Sequence, residues 1–113
     1  MAELPSTVAA MERLCKRLAP DAEHRGLGMV VVGGEAGKLS TWHDGRGWAY
    51  DLVTFGCDVN GDPEDHTTSG YIDDRKSLAL LLGVVLGLRS ATDYADNPEA
   101  YLRDRARSGV ARG

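Results

Sequence analysis

The chain has 113 residues, of which 42% are hydrophobic and 27% charged, and its formal net charge is −4. This length suits one domain with one core, and the composition excludes a disordered chain. No apolar stretch reaches the ~18 residues needed to cross a bilayer, and the acidic balance argues against general binding to nucleic-acid phosphates. We therefore expect one soluble domain over residues 1–113, with 108–113 as a disordered tail.

The chemistry-bearing residues are few and scattered. The N-terminus lacks the basic flank and apolar run of a signal peptide, so we expect a cytoplasmic protein. Two cysteines, Cys15 and Cys57, are too few for a disulfide framework. None of the histidines forms a metal-ligand spacing with another His or Cys. We predict neither a metal site nor a cofactor.

The chain opens with an amphipathic helix. Ser6 or Thr7 can cap it, and Pro20 stops it after about Ala19. Its apolar residues recur at spacings of three and four, which predicts one buried stripe. The stripe consists of Val8, Met11, Leu14, Cys15 and Leu18.

Three extended segments follow, at 29–32, about 38–43 and 48–55. Asp44-Gly45 separates the last two, and this dipeptide is a strong hairpin signal because such turns require positive φ. The pattern predicts a three-stranded antiparallel meander. In its third strand, alternate residues share one face: Trp48, Tyr50, Leu52 and Thr54.

The two tryptophans flank the Asp44-Gly45 turn. They can stabilise the hairpin by packing across the strands. If Trp42 and Trp48 instead lie on an uncovered face, they are candidate anchors of a binding surface, with His43 and Arg46 in its polar rim. Both interpretations remain open at this point.

Residues 57–74 form a polar connection with six acids and no Lys or Arg. Asp58 to Asp62 follows the start of a helix-loop-helix calcium site. Pro63 then stands where the turn needs glycine, and Ser69 where a bidentate glutamate is expected. The connection is therefore interpreted as a solvated loop, with a cation or a basic partner as alternatives.

A helix from Asp73 or Asp74 to about Arg89 contains eleven consecutive non-polar residues, Leu78 to Leu88. A helix that is apolar all round must be buried all round, and one small sheet leaves part of it to cover. Its smallest residues recur at every fourth position, which predicts either internal packing or a homodimer interface. They are Ala79, Gly83 and Gly87.

Asn97 and Pro98 begin a last short helix that ends near Arg107. The predicted fold is therefore α+β, in the order α-β-β-β-α-α. It is a two-layer sandwich of a three-stranded antiparallel meander and a Leu-rich helix.

Three classes of function remain. The first is a non-enzymatic interaction protein of the inhibitor, immunity, adaptor or phage-accessory kind, which binds itself as a homodimer and another protein. The second is a small-ligand binder or enzyme with a site at the end of the meander, using Trp48, Tyr50, Cys57 and His66. The third is a nucleic-acid accessory protein that uses the arginines of residues 103–112. The absence of a catalytic motif favours the first class, without a membrane partner.

Overall fold

The computed structural model describes residues 3–26 and 28–103. Within them, no helix has the length and apolar character required to cross a membrane. Residues 98–103 are helical, in addition to the elements given next. In chain order these are α1 (Val8–Leu18), β1 (Glu23–Arg25), β2 (Val30–Gly33), β3 (Gly37–His43), β4 (Trp48–Thr54), β5 (His66–Ile72), α2 (Arg75–Leu86) and α3 (Ala91–Asp96).

The strands form one antiparallel sheet in the order β1-β2-β3-β4-β5. The α+β class and the antiparallel meander are confirmed, but the predicted number of three strands and the predicted element order are wrong. The short strand β1 precedes the meander, and β5 lies inside the polar connection 57–74. Neither strand has a continuous hydrophobic pattern, because both are edge strands. Pairing with β2 and β4 holds them in the sheet, and burial contributes little.

Side-chain caps and one glycine set the helix ends. Thr7 Oγ1 accepts a hydrogen bond from the Ala10 N–H at 3.2 Å, and Asp74 Oδ1 accepts one from the Ser77 N–H at 2.8 Å. Thr7 is one of the two predicted caps, and Asp74 is one of the two residues at which its helix was predicted to start. The helix α2 ends earlier than predicted, because Gly87 adopts φ 74°, a left-handed conformation that closes the last turn.

One face of the sheet, the inner face, packs on α1 and α2. Every strand residue in the hydrophobic core lies on this face. Met11 and Cys15 of α1 meet it from one side, and Leu78 and Leu82 of α2 from the other; all four are fully buried. The strand residues of this core are Val30, Val32, Leu39, Trp48, Leu52 and Ile72.

The β2–β3 turn fixes the C-terminal end of α2 on the sheet. The Ala36 N–H donates to the Val85 carbonyl oxygen at 3.0 Å. A Cβ on Gly34 would lie 2.5 Å from that same oxygen, so only glycine permits this approach. Helix and hairpin are therefore held together by main-chain contact as well as by side-chain packing.

The helix α3 was not predicted. Ser90 caps it, with its Oγ accepting from the Asp93 N–H at 3.1 Å. Tyr94, 1% exposed, donates its hydroxyl to the Leu18 carbonyl at 2.5 Å and so ties α3 to the end of α1. The predicted last helix begins as expected, with Asn97 Oδ1 accepting from the Ala100 N–H. Its predicted end, and the predicted tail, lie outside the described residues.

Candidate functional site

The second face of the sheet, the outer face, has no described helix over it. Both α1 and α2 pack on the inner face. The strand β5 has extensive contact with β4 and with no other described element. Because side chains alternate along a strand, the pairing register gives the composition of the outer face. Its side chains are Glu23, Arg25, Val31, Lys38, Ser40, Trp42, Ala49, Asp51, Val53, Thr67, Ser69 and Tyr71.

An aromatic row crosses three strands of the outer face. Trp42 pairs with Ala49, and Ala49 pairs with Tyr71. Tyr71 is 51% exposed and Trp42 is half-buried, whereas the small Ala49 between them is 9% exposed. Two large rings therefore stand on either side of a small residue, with water on their free sides.

The β3–β4 turn anchors the tyrosine of this row. Tyr71 donates its hydroxyl to Asp44 Oδ2, while Asp44 Oδ1 accepts the N–H groups of Arg46 at 2.9 Å and Gly47 at 3.2 Å. These hydrogen bonds, that of the Tyr71 hydroxyl above all, hold the pKa of Asp44 below its usual value. The same carboxylate raises the pKa of Tyr71. The ring is thus held in one orientation by the turn.

Polar side chains complete the outer face. Ser69 donates to Asp51 Oδ1 at 2.6 Å across β4 and β5. Lys38 of β3 is exposed and pairs with Val53, the residue that follows Asp51 on the outer face of β4. The outer face therefore combines aromatic surface with Asp51, Lys38 and, on β1, the ion pair of Glu23 and Arg25. This arrangement suits contact with another protein surface better than bond-making chemistry.

The predicted aromatic anchors are separated by the sheet. Trp42 lies on the outer face, but Trp48 lies on the inner face, 3% exposed, and its Nε1 donates to the Pro5 carbonyl at 2.7 Å. His43 packs edge-on against Trp48 with ring centroids 5.3 Å apart. Arg46 is exposed in the turn. Of these four residues, Trp48 is buried, whereas Trp42 is half-buried on the outer face and both His43 and Arg46 are exposed.

The small residues of α2 serve packing inside the subunit. Ala79 is 2% exposed, and a Cβ on Gly83 would lie 2.9 Å from the Cβ of Ala91 on α3. Gly87 is the C-cap. In the segment 78–88, Leu80 at 41% and Gly87 are exposed, and the other nine residues are buried or half-buried. The interface role of these small residues stays a prediction.

The residues of the ligand-binding alternative are not brought together. Trp48 pairs with Ile72 at one end of the β4–β5 ladder, and His66 pairs with Thr54 at the other. Six residues of strand separate the two ends, which is about 20 Å. Cys57 is exposed in the loop beyond β4. The register of the sheet therefore separates this set.

Other candidate chemistry is also dispersed among the described residues. They hold no group of three or more His, Cys, Asp or Glu side chains placed to share a metal ion. Asp58 Oδ1 accepts the N–H groups of Asn60 and Asp62 at 2.8 and 3.0 Å, so this carboxylate organises its own turn. Burial raises the pKa of Cys15 to about 12, which makes its thiol unreactive at neutral pH.

A cavity of about 520 Å³ lies beside the β2–β3 turn. It contains none of the four residues of the ligand-binding alternative. Its lining contains three acids, one lysine, three glycines and two large apolar side chains. The charged lining residues are Asp21, Glu23, Glu35 and Lys38, and the large apolar ones are Phe55 and Leu86.

The strand β5 is the part of this surface that sequence reasoning missed. Four of its seven residues are of types that favour strands, namely Thr67, Thr68, Tyr71 and Ile72. The acids around it instead favoured a loop.

Comparison of the chain with family models, with curated protein sequences and with solved structures found no match.

Proposed function

We propose that this chain is a non-enzymatic protein-binding protein that self-associates, two copies packing outer face against outer face. The observation that carries the proposal is the outer face itself. One side of the sheet supports two helices, and the other carries Trp42 and Tyr71 with no described element over them.

The composition of the outer face supports contact with protein. An antiparallel sheet can leave one face in water, and such a face then carries mostly polar side chains. Here Val31, Trp42, Val53 and Tyr71 lie among the polar residues. Tryptophan and tyrosine supply much of the binding energy in protein interfaces. Tyr71 is moreover held by Asp44, which lowers the entropy lost when its ring is buried.

The size of the outer face sets the expected affinity. Five strands about 4.8 Å apart span roughly 19 Å. Three of them have seven residues, but β2 has four and β1 has three, so their mean length is roughly 18 Å at about 3.3 Å per residue. The projected area is about 350 Å² per copy, so a dimer buries on the order of 700 Å². This is below the standard size of specific interfaces and typical of weak, transient ones. We therefore expect a dissociation constant in the micromolar range.

Charge on the outer face favours a two-fold arrangement. Lys38 and Asp51 occupy neighbouring rows of the same face. In a two-fold interface the same patch meets itself, so each lysine can approach the carboxylate of the other copy. The pairing fixes the orientation of the two sheets and adds little to the affinity.

Sedimentation velocity between about 1 and 300 µM tests the proposal. The mass should rise from 12.1 kDa toward twice that value. Trp42→Ser and Tyr71→Ser should each weaken association about tenfold, as expected for an aromatic anchor. Leu80→Ser is the matched control, because it removes an exposed apolar side chain from α2. Far-UV circular dichroism establishes that each variant is folded.

A monomer at every concentration would contradict the proposal. Dimerisation lost in Leu80→Ser and retained in Trp42→Ser would place the interface on α2 instead.

A further inference from the structure

The two edges of the sheet differ in length and in charge. β1 has three residues, and two of them, Glu23 and Arg25, are charged and paired at 3.3 Å. β5 has seven residues without Lys, Arg, Asp, Glu or Pro, and five of them are exposed. Proteins usually block an edge with short strands, charges or proline. β1 has two of these features and β5 has none.

The free side of β5 offers main-chain hydrogen bonds. In an antiparallel ladder, alternate residues direct their N–H and C=O groups toward the neighbouring strand. The other residues of β5 direct theirs away from β4, which gives three or four positions on the free side. An extended segment laid against the strand can use them, as in β-strand addition.

Charge around the edge determines what kind of segment fits. Residues 47–74, which comprise β4, β5 and their connection, contain seven acids and no Lys or Arg. Glu64 and Asp65 directly precede β5, and Asp73 directly follows it; all three are exposed. At the Asp73 end, the exposed cations Arg46, Arg75 and Lys76 offset the acids, and Arg46 lines one pocket together with Tyr71 and Asp73. The connection before β5 has no Lys or Arg, so a complementary segment is uncharged in the middle and basic at the end that meets Glu64 and Asp65.

A second copy of this chain fits the edge poorly. The two-fold antiparallel pairing that uses all seven residues is centred on Ser69. It places Asp65 opposite Asp73 of the second copy, and Glu64 opposite Asp74. Like charges directly opposite one another destabilise strand pairing. The charges that would attract a basic segment therefore oppose self-pairing at this edge.

We propose that the free edge of β5 binds, by strand addition, an extended segment of a partner protein that has Lys or Arg at the end that meets Glu64 and Asp65. This goes beyond the proposed function, because it uses the edge of the sheet and leaves the outer face available. One copy of the chain can thus dimerise through one surface and take a partner on the other.

The probe is a fluorescein-labelled, acetylated peptide of sequence KKTVTVTVTKK, titrated with the full chain in 50 mM salt. Saturable binding is expected. A peptide with glutamate in place of every lysine should bind at least about tenfold more weakly, and raising the salt to 500 mM should weaken binding by a similar factor. The double variant Glu64→Gln, Asp65→Asn should lose about fivefold. Glu35→Gln, Glu99→Gln removes the same charge elsewhere and should change binding less than twofold.

Main-chain pairing needs a separate readout, because lysines alone could bind an acidic surface. Two further peptides carry N-methyl groups on the even or on the odd central residues. One of them should lose binding and the other keep it, since only alternate N–H groups face β5. Hydrogen exchange should slow at the outward-facing amides of β5 when the parent peptide binds.

Three outcomes would overturn the inference. They are no saturable binding up to 1 mM peptide, equal binding of both N-methylated peptides, and slowed exchange in β5 that depends on protein concentration without peptide. The last would make the occupant a second copy. Repeating the titration with Trp42→Ser separates the two proposals, because binding at the edge should persist when dimerisation through the outer face is lost.

Discussion

Adding one methyl group at Gly83 tests how closely α2 and α3 approach. In Gly83→Ala, the new Cβ would lie 2.9 Å from Ala91 Cβ, 3.1 Å from Ala91 Cα and 3.2 Å from Tyr94 Cδ2. Carbon atoms prefer about 3.5 to 4.0 Å, so α3 must move away by at least roughly 0.6 Å. Neither neighbouring atom of Ala91 is the end of a flexible side chain that could turn aside.

Two opposing terms give the expected change in stability. Overpacking a filled core costs about 1–3 kcal/mol, whereas alanine gains up to about 1 kcal/mol over glycine inside a helix. We expect Gly83→Ala to lower the free energy of unfolding by about 1 kcal/mol. In the Ala91→Gly background the nearest obstacle is absent but the contacts at 3.1 and 3.2 Å remain, so the same substitution should destabilise less than in the native background.

Urea unfolding followed by far-UV circular dichroism on all four proteins of this cycle measures the coupling. A stabilisation of about 1 kcal/mol by Gly83→Ala in both backgrounds would refute the close approach of the two helices. The sedimentation mass provides a second readout. Internal packing predicts that the mass is unchanged, whereas a role of Gly83 in self-association predicts that it falls.

Three further predictions concern single side chains. Ellman's reagent should label one thiol in the native protein and two in denaturant, because Cys57 is exposed and Cys15 buried; two rapid thiols in the native state would show that Cys15 is accessible. Since the pKa of Cys15 is about 12 in the fold and about 8.5 in an unfolded chain, its contribution to stability is complete below pH 8.5 and is lost as the pH rises toward 12. Urea unfolding of Cys15→Ala should therefore depend less on pH between 9 and 11, and an unchanged slope would contradict the burial of the thiol. Trp48→Phe removes the donor to the Pro5 carbonyl and should cost about 1–2 kcal/mol in urea unfolding, with faster amide exchange in residues 3–7; unchanged exchange would show that this hydrogen bond does not hold the segment.

The proposed surfaces divide the sheet between two kinds of contact. The outer face offers aromatic area, and such area is bound through side chains. The edge of β5 offers main-chain groups, which bind an extended chain with little dependence on its sequence. Specificity at the edge then comes from Glu64 and Asp65, which attract a basic segment and repel a second copy.

Patterns local in sequence predicted much of the fold. The spacing of Met11, Leu14 and Cys15 predicted the buried stripe of α1, and each of the three is buried. Asp44-Gly45 predicted the β3–β4 hairpin, and Gly45 adopts φ 93°. Thr7, a predicted cap, and Asp74, a predicted start of α2, each accept a capping hydrogen bond. These features depend on residues a few positions apart, so the sequence contains the information directly.

Edges and faces were decided by tertiary structure. β5 is a strand because β4 pairs with it, and its own residues carry no burial pattern that reveals this. Trp42 and Trp48 are the same residue type, and each lies in a strand beside the β3–β4 turn. Because that turn has four residues, Trp48 pairs with His43 and shares its face of the sheet. Trp42 precedes His43 in β3, so its side chain lies on the opposite face. In the sequence, Gly83 belongs to a strip of small residues that could face a partner, but in the structure α3 packs against it. Local periodicity thus determined α1, α2 and the three central strands, whereas long-range pairing determined the edge strands β1 and β5 and which surfaces meet water.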